Sequence, residues 1–225
     1  MDHVLILIPG AGGRAWYWHL VARRLRAAGH RAIAVELPAD DDTKGLPDYA
    51  ETVLDAAGTA RDVVIVAASL GAFTAPLVAA PLDAAAVVLV NPMIPLPGET
   101  PGTWWGNTGA VEARTERASR LGYPVEFDPG TYLFHDVPPE VLATATAKGE
   151  QSQRPFGDRC TFSSMPAPVT VISARDDRFF PLEFQQRLAR ERLGVEPVVV
   201  PGGHLVALSH PDELAAAVMA AARGE

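Results

Sequence analysis

Short apolar segments rich in β-branched residues recur along the chain and constrain its fold more than any other feature. Most are apolar at consecutive positions, which is typical of parallel strands covered by helices on both faces. The segments are Val4–Ile8, Ala32–Leu37, Val63–Ala67, Val87–Asn91, Val169–Ser173 and Val198–Val200. Helical patterns separate them at Trp16–Ala28, Tyr49–Ala57, Leu70–Ala80, Leu182–Leu193 and Asp212–Arg223. This alternation predicts an α/β fold, doubly wound, with a mostly parallel six-stranded sheet.

A long stretch without a convincing strand interrupts the alternation at residues 92–168, which we call the cap segment. It holds 8 of the chain's 16 aromatic residues in about a third of the length. It begins where a strand ends, at the carboxyl edge of the sheet, where ligands of open α/β sheets bind. We therefore expect residues 1–91 and 169–225 to form the α/β core and the cap segment to cover a binding cleft. A helical subdomain with its own small core is the alternative.

The composition narrows the classes of partner. The 225 residues include 27 acidic and 19 basic side chains, which gives a net charge of −8. Because an acidic protein repels phosphate backbones and anionic lipid, we expect a small-molecule substrate and neither nucleic acid nor a membrane as partner. Cys160 is the single cysteine, so no internal disulfide or cysteine-based metal site can form. No apolar run approaches the ~18 residues of a membrane span. A cytoplasmic location is expected, and homodimerisation is left open.

The segment Ala67-Ala68-Ser69-Leu70-Gly71 lies where an apolar strand turns abruptly into a helix. A nucleophile elbow places its serine on such a strained turn and needs small residues two positions before and after it. Ala67 adds one methyl group where glycine is usual. A serine that caps an ordinary strand–helix turn is the alternative interpretation.

A nucleophilic serine needs a base, and the base needs an acid to orient it. Candidates for both follow later strands. They occur in the chain order Ser, Asp, His that is typical of catalytic triads built on α/β sheets. Asp176 and Asp177 follow the strand at 169–173, and His204 follows the strand at 198–200 after two glycines. Asp177 is the preferred acid, although such a pair of acidic residues is also typical of a helix N-terminus.

His135 is the one serious rival to His204 as the base, because it lies in the cap segment beside Asp136. The other four histidines fit solvated or structural positions: His3, His19, His30 and His210.

A glycine-rich turn, Pro9-Gly10-Ala11-Gly12-Gly13, follows the first strand. Its backbone can direct a free N–H toward the elbow, where it would pair with the N–H of Leu70 as an oxyanion hole. The alternative is a dinucleotide-binding fingerprint, because residues 10–15 match G-x-G-x-x-A and Glu36 ends the next strand. Against this alternative, Trp16-Tyr17-Trp18 crowds the place where a pyrophosphate would approach.

The chain resembles the α/β-hydrolase superfamily and, within it, the plant hydroxynitrile lyase and methyl esterase branch. The matching segments span nearly the whole chain, with the cap segment matching least. They are Pro9-Gly10-Ala11, Ala15-Trp16-Tyr17-Trp18, Ala28-Gly29-His30, the elbow, Asp177 with Phe180 and Glu183-Phe184-Gln185, and Gly202-Gly203-His204. The resemblance implies an α/β-hydrolase fold that lacks the first N-terminal strands of the family. It also implies Ser69 as nucleophile, His204 as general base and acid, and Asp177 as the orienting acid, with the N–H groups of Ala11 and Leu70 as the oxyanion hole.

Departures from the family pattern favour its esterase members. Pro9 stands where the family usually has histidine, and Ala67 where it has glycine. Lyase members carry a lysine directly after the catalytic histidine and a threonine at the position of Gly10. This chain has Leu205 and Gly10 there, so cyanohydrin cleavage would lack its cation and its hydroxyl.

We therefore expect a serine hydrolase of the carboxylesterase type that cleaves a small, mostly apolar ester, thioester or lactone without cofactor or metal. Candidate substrate contacts are Gly10, Trp104, Trp105 and Phe134. Two alternatives stay open. One is a lyase or cyclase in which His204 acts alone on a carbon acid, and the other is a binding protein that keeps the pocket without turnover.

Overall fold

The computed structural model describes residues 3–145 and 149–224, so parts of the expected core (1–2 and 225) and cap (146–148) lie outside the described residues. The strands are β1 Val4–Ile8, β2 Arg31–Ala34, β3 Val63–Ala68, β4 Ala86–Val90, β5 Val169–Ala174 and β6 Val198–Val200. They form one sheet in the order β2-β1-β3-β4-β5-β6, and each neighbouring pair is parallel. The predicted six-stranded α/β sheet is confirmed.

Helices cover both faces of this sheet. The α-helices are α1 His19–Ala27, α2 Leu46–Ala57, α3 Ala75–Ala79, α4 Pro101–Thr108, α5 Ala110–Leu121, α6 Pro129–Tyr132, α7 Pro139–Leu142, α8 Leu182–Leu193, α9 Val206–Ser209 and α10 Pro211–Ala222. Successive side chains of a strand point to opposite faces. Leu5 and Leu7 of β1 therefore pack in one buried cluster with α1 and α10, whereas Ile6 and Ile8 pack in another with α2, α3 and α8. None of the helices in the described part of the chain has the length and apolar character of a membrane span.

The second strand is shorter than the pattern predicts. The predicted strand covers residues 32–37, whereas β2 ends at Ala34. The chain then leaves the sheet, and the N–H of Leu37 donates to the carbonyl oxygen of Gly13 over 2.8 Å. Leu37 stays buried, so its apolar character reflects packing beside the glycine-rich turn rather than a place in the sheet.

Two predicted helices begin as 3₁₀ turns. The helix predicted at 16–28 consists of the 3₁₀ segment Ala15–Trp18 followed by α1. The helix predicted at 70–80 is divided into the 3₁₀ segment Ser69–Phe73 and α3. Pro76 accounts for the second division, because it has no N–H to donate into a continuous helix.

The cap segment contains α4 to α7 and the 3₁₀ helix Arg154–Gly157, and its described residues include no strand. Its first part packs into the main core, since Trp104 and Ala110 belong to the buried cluster that includes β1 and β3, and Cys160, near the end of the cap segment, belongs to the same cluster. Glu99 and Arg192 form a buried ion pair of 2.5 Å that ties this part to α8. Among the described residues, it is the middle of the cap segment, with α6 and α7, that has the position expected of a cover.

The strand order fixes where a ligand would bind. From β1 the chain crosses to β2 on one side, whereas from β3 it crosses to β4 on the other, so β1 and β3 flank a topological switch point. In open α/β sheets, ligands bind beyond the carboxyl ends of strands at such a point. The glycine-rich turn follows β1 and Ser69 follows β3, so both lie at this point.

Candidate active site

Ser69 is the first residue after β3 and has a left-handed backbone conformation, with φ of 49°. This conformation costs free energy in a residue that carries a side chain, and its presence is typical of functional turns. Two loops meet tightly behind the turn, because a Cβ on Gly71 would lie 2.5 Å from the carbonyl oxygen of Pro9. Residue 71 must therefore lack a side chain for the turn to close.

Ser69, His204 and Asp177 are joined by a continuous chain of hydrogen bonds. The Oγ of Ser69 lies 3.1 Å from Nε2 of His204, and Nδ1 of His204 lies 2.8 Å from Oδ2 of Asp177. Because an ionised carboxylate only accepts hydrogen bonds, Nδ1 carries the proton and Nε2 is left to accept from the serine hydroxyl. His204 and Asp177 are both buried. In this geometry a histidine can remove a proton from a serine.

Donors on both carboxylate oxygens fix the orientation of Asp177. The backbone N–H groups of Phe179 and Phe180 donate to Oδ1 over 2.8 and 2.9 Å. Nε2 of Gln185 donates to Oδ2 over 3.3 Å, beside the bond to His204. The rings of Phe179 and Phe180 also pack against the imidazole, with centroids 4.9 and 5.1 Å from it.

Asp176, the other candidate acid, faces a different loop. Its carboxylate accepts the N–H of Gly202 over 3.3 Å and also binds the side chain of Arg175. Burial tends to raise the pKa of Asp176, but the hydrogen bonds from Arg175 and Gly202 outweigh this effect and lower the pKa below its usual value. The structure thus brings Asp177, and not Asp176, to the histidine.

The two predicted oxyanion donors lie on the loops that meet at Ser69. A Cβ on Gly10 would lie 3.0 Å from the Cβ of Ser69, so the glycine-rich turn runs directly against the serine. Ala11, the next residue, lies on the wall of the cavity that also contains Ser69. Leu70 lies in the first turn of a helix, where backbone N–H groups have no acceptor within the helix.

The structure does not support the dinucleotide-binding interpretation of the glycine-rich turn. The N–H of Gly12 donates to Oε1 of Gln151 over 3.1 Å, and the N–H of Ala15 donates to Oε2 of Glu36 over 2.6 Å. These are the donors that a pyrophosphate would need. A Cβ on Gly12 would also lie 3.0 Å from the carbonyl oxygen of Gly149. The cap segment therefore covers the turn where the cofactor would bind.

A cavity of about 1070 Å³ lies beside Ser69, between the sheet edge and the middle of the cap segment. Its wall is mostly apolar and includes Trp16, Phe127, Leu133, Phe134, Leu142 and Leu205. Cavities of roughly 300–1000 Å³ hold drug-sized ligands. The cavity therefore has room for a substrate with a sizeable group on each side of the reacting bond.

Two polar residues of the described cavity wall, Arg14 and Tyr17, indicate which charges a substrate would meet. Nη1 of Arg14 lies 2.9 Å from Glu36, and Nη2 lies 3.4 Å from Asp40. Burial raises the pKa of Tyr17 well above its usual range, so its phenol remains neutral. These wall residues thus offer no unbalanced charge to a charged substrate.

The structure places two of the four predicted substrate contacts, Gly10 and Phe134, on the cavity wall. It does not bring Trp104 and Trp105 there. Trp104 is fully buried, and its indole N–H donates to a backbone carbonyl over 3.0 Å. The ring of Trp105 packs behind the wall against Phe179, with centroids 5.6 Å apart. Both tryptophans lie on α4, which packs into the main core instead of covering the sheet edge.

His135, the rival base, lines a second cavity of about 360 Å³ together with Asp136, Asp177 and Gly202. Burial lowers the pKa of His135, and its Nε2 has no partner within the described residues. Of the two histidines, His204 is the one that contacts Ser69.

Asn91 is a residue of the site that the sequence patterns do not single out. It follows β4, is buried and has φ of 42°. Its Nδ2 donates to the carbonyl oxygens of Gly203 and His204 over 3.2 and 3.0 Å, and its Oδ1 accepts the N–H of Ala174 over 2.7 Å. One amide therefore joins the end of β5 to the loop of His204. A polar residue directly after a wholly apolar strand is the signal that points to it.

Gln151 is a second such residue, and it joins the cap segment to the glycine-rich turn. Its Oε1 accepts the N–H of Gly12, and its Nε2 donates to the hydroxyl of Tyr49 over 3.1 Å. No sequence signal marks Gln151, because Gly12 lies 139 positions away in the chain.

The chain belongs to the α/β-hydrolase family, whose model matches residues 5–217. Plant esterases are among its relatives, in agreement with the resemblance of its sequence to the plant methyl esterase branch. Methylesterase 7 of Arabidopsis thaliana is 35% identical over 103 residues, which cover 40% of this chain and 40% of that protein. The probable esterase PIR7A of Oryza sativa subsp. japonica is 33% identical over 109 residues, covering 43% of this chain and 41% of that protein. These alignments span about two fifths of the relatives' own length.

Solved structures share the fold over almost the whole chain. A pyrethroid hydrolase from Sphingobium faniae JZ-2 has a TM-score of 0.78 and 24% identity, covering 99% of this chain and 98% of that one. The methylesterase MES16 from Arabidopsis has a TM-score of 0.77 and 16% identity, covering 99% and 100%. Polyneuridine aldehyde esterase has a TM-score of 0.71 and 18% identity, covering 97% and 98%. At these identities the likeness establishes the fold.

Proposed function

We propose that this protein is a carboxylic ester hydrolase that works through an acyl-enzyme on Ser69, with His204 as base and acid and Asp177 as the orienting residue. The observation that carries the proposal is the hydrogen-bonded chain from Ser69 through His204 to Asp177, at the edge of an apolar cavity. Membership of the α/β-hydrolase family and the esterase relatives support the class of reaction.

In the first half of the reaction, Nε2 of His204 accepts the hydroxyl proton of Ser69 while Oγ bonds to the substrate carbonyl carbon. Negative charge develops on the carbonyl oxygen, and the N–H groups of Ala11 and Leu70 stabilise it. Each donor of this kind typically contributes ~3–4 kcal/mol to the transition state. The imidazolium then gives its proton to the departing alcohol, and the acyl group remains on Ser69.

In the second half, water replaces the alcohol and gives a proton to Nε2 of His204 as its oxygen attacks the acyl carbon. The proton returns to Oγ of Ser69 when the carbon–Oγ bond breaks, and the carboxylic acid leaves. Asp177 holds Nδ1–H throughout and stabilises the imidazolium in each half.

The proposed substrate is an uncharged, mostly apolar ester, thioester or lactone. The cavity wall is mostly apolar, and Arg14, the cation among its described residues, is paired with Glu36 and Asp40. The volume of about 1070 Å³ exceeds what a small ester needs. We therefore expect KM to fall as the apolar arms of the substrate lengthen, because each added methylene buries more apolar surface, worth ~0.8 kcal/mol.

Two wall residues favour hydrolysis over cyanohydrin cleavage. Gly10 and Leu205 both line the cavity, at the positions where lyase members of the family carry threonine and lysine. Because neither offers a hydroxyl or a cation, the site has no group there to bind a cyanohydrin oxygen or to stabilise cyanide.

A panel of p-nitrophenyl esters, from acetate to octanoate, tests the proposal with the wild-type chain and the Ser69→Ala and His204→Ala variants. Ser69→Ala should reduce kcat by ~10⁶, because the three residues of a Ser-His-Asp triad act as a unit. Ser119→Ala, an exposed serine on α5, is the matched control and should retain full activity. Ester turnover that survives Ser69→Ala would contradict the proposal. Absence of turnover of any ester by the wild type would favour the lyase or the binding protein.

A further inference from the structure

The cap segment reaches the loop of His204 through Asp136. Oδ2 of Asp136 accepts the N–H of Gly203, the residue before His204, over 2.5 Å. The approach is close, since a Cβ on Gly203 would lie 2.7 Å from Oδ1 of Asp136 and 2.7 Å from Nε2 of His135 and would displace both side chains. Asp136 of the cap segment therefore packs closely against Gly203 of the core.

The backbone around His204 is held from two sides. From the core, Asn91 donates to the carbonyl oxygens of Gly203 and His204. From the cap segment, Asp136 accepts the N–H of Gly203. A hydrogen bond to an ionised acceptor is roughly twice as strong as one between neutral groups. Since the Asp136 side chain is 16% exposed, this bond is largely protected from water. It holds the peptide group between Gly202 and Gly203, whereas Asn91 holds the next one, between Gly203 and His204.

Asp136 makes this contact without lying on the wall of the substrate cavity. Ser69 and His204 line the larger cavity, whereas Asp136 lines the second cavity together with Asp177 and Gly202. Loss of its side chain would therefore leave the wall of the larger cavity in place.

We propose that Asp136 is a positioning residue, whose hydrogen bond to Gly203 holds the His204 imidazole at the distance from Ser69 that proton transfer needs. This inference rests on the proposed roles of Ser69 and His204. Reacting groups must meet at about 3–3.5 Å, and a misplacement of about 1 Å can cost ~10²-fold in rate. The cap segment then contributes to catalysis through the histidine loop as well as to the cavity wall.

The test compares Asp136→Ala and Asp136→Asn by steady-state kinetics on a p-nitrophenyl ester that saturates the wild type. Asp136→Ala should lower kcat by roughly 10–100-fold and leave KM within about twofold, because only the transition state needs the histidine in place. Asp136→Asn keeps an oxygen that can accept the N–H of Gly203 and should recover most of kcat. Glu140→Gln, which removes an exposed carboxylate of the cap segment, is the control and should match the wild type.

Three results would overturn the inference. In the first, Asp136→Ala keeps the wild-type kcat. In the second, it raises KM with kcat unchanged, so that Asp136 binds substrate. In the third, Asp136→Asn is no better than Asp136→Ala, so that its charge, 3.8 Å from Nδ1 of His210, matters instead of the hydrogen bond. Should Asp136→Ala fail to fold, Asp136→Ser, whose hydroxyl is too short to reach Gly203, replaces it with the same expected loss of kcat.

Ser69→Ala measured in parallel separates this inference from the proposed function. Turnover that persists in Ser69→Ala would remove both the function and the inference. An inactive Ser69→Ala together with Asp136 variants of wild-type kcat would remove the inference alone.

Discussion

The side-chain amide of Asn91 donates to the carbonyl oxygen of His204 over 3.0 Å and, with its oxygen, accepts the N–H of Ala174 over 2.7 Å. A single buried residue at the end of β4 therefore links the strand that leads to Asp177 with the loop that carries His204. The chain from Ser69 to Asp177 is assembled from three loops, and contacts of this kind fix the loops relative to one another.

Replacing Asn91 should lower both stability and kcat. Asn91→Ala leaves the carbonyl oxygens of Gly203 and His204 without this donor, at a cost of about 1–3 kcal/mol for each buried group that stays unpaired. Asn91→Gly loses the same bonds but accepts φ of 42°, so it should be more stable than Asn91→Ala by about 1–2 kcal/mol. Urea unfolding and ester kinetics measure the two effects.

Asp83→Gly is the control for the backbone contribution at Asn91, because Asp83 is exposed and has φ of 47°. It should retain full activity. Wild-type stability and kcat in Asn91→Gly would show that the amide does not hold the site.

Gly71→Ala should disrupt the turn that presents Ser69. The added Cβ would lie 2.5 Å from the carbonyl oxygen of Pro9, and a backbone atom cannot move away without moving the glycine-rich turn. We expect a loss of several kcal/mol of stability, or of most of kcat if the chain still folds. Gly106→Ala on α4, where a Cβ meets no atom within 4 Å, should instead stabilise the protein by up to about 1 kcal/mol. Thermal unfolding and ester turnover should be measured for both variants. Equal stability and kcat in Gly71→Ala and Gly106→Ala would contradict the close packing of the turn at Ser69.

Truncation of Trp104 should mainly lower stability, whereas truncation of Phe134 should mainly raise KM. Trp104→Ala creates a cavity in the main core and should cost about 3–5 kcal/mol of stability, with KM little changed in the folded enzyme. Phe134→Ala removes a partly exposed wall residue and should raise KM for long-chain esters more than for acetate. KM profiles over the ester series, with urea unfolding, distinguish the roles. A large change in chain-length preference from Trp104→Ala alone would place that residue on the wall after all.

The buried pair of Glu99 and Arg192 should make stability depend on acid pH. Burial tends to raise the pKa of Glu99, but hydrogen bonds from Arg192, Asn107 and the N–H of Leu96 lower it below its usual value of 4.5. A carboxyl group whose pKa is lower in the folded state stabilises the protein above its unfolded pKa, and this contribution is lost as pH falls through the folded pKa. We therefore expect the free energy of unfolding to decline below about pH 4.5.

Glu99→Gln should reduce that decline. At neutral pH the variant leaves Arg192 buried without its counter-charge, which costs about 3–5 kcal/mol, and the difference from the wild type should shrink as the pH is lowered. Urea unfolding between pH 7 and the acid range measures it. The exposed carboxylate of Glu196, paired with Arg190, provides the control, since Glu196→Gln should change stability little. A constant difference at every pH would contradict this account of the pair.

Local patterns were sufficient to predict the sheet and the three residues that the structure joins. An apolar strand followed by small residues around Ser69 describes a strained turn, and His204 follows its strand after two glycines. These features depend on neighbours in the sequence, which is why periodicity and turn chemistry indicate them.

Contacts between distant segments could not be predicted in the same way. Trp104 is a large aromatic residue of the kind expected to contact an apolar substrate. The packing of α4 into the main core nevertheless places it behind the cavity wall. Asp136 and Gln151 act on loops 67 and 139 positions away, and no periodic pattern carries information at that separation. The dinucleotide-binding interpretation, which involves Glu36, and the choice of His135 as the base could likewise be decided only when the structure showed which groups these residues contact.

Covalent labelling with a fluorophosphonate, followed by peptide mapping, is the most direct check on Ser69 as an activated nucleophile. The account predicts one adduct per chain, on Ser69, with no labelling in Ser69→Ala and much slower labelling in His204→Ala. An unmodified Ser69 in a preparation that hydrolyses esters would contradict it.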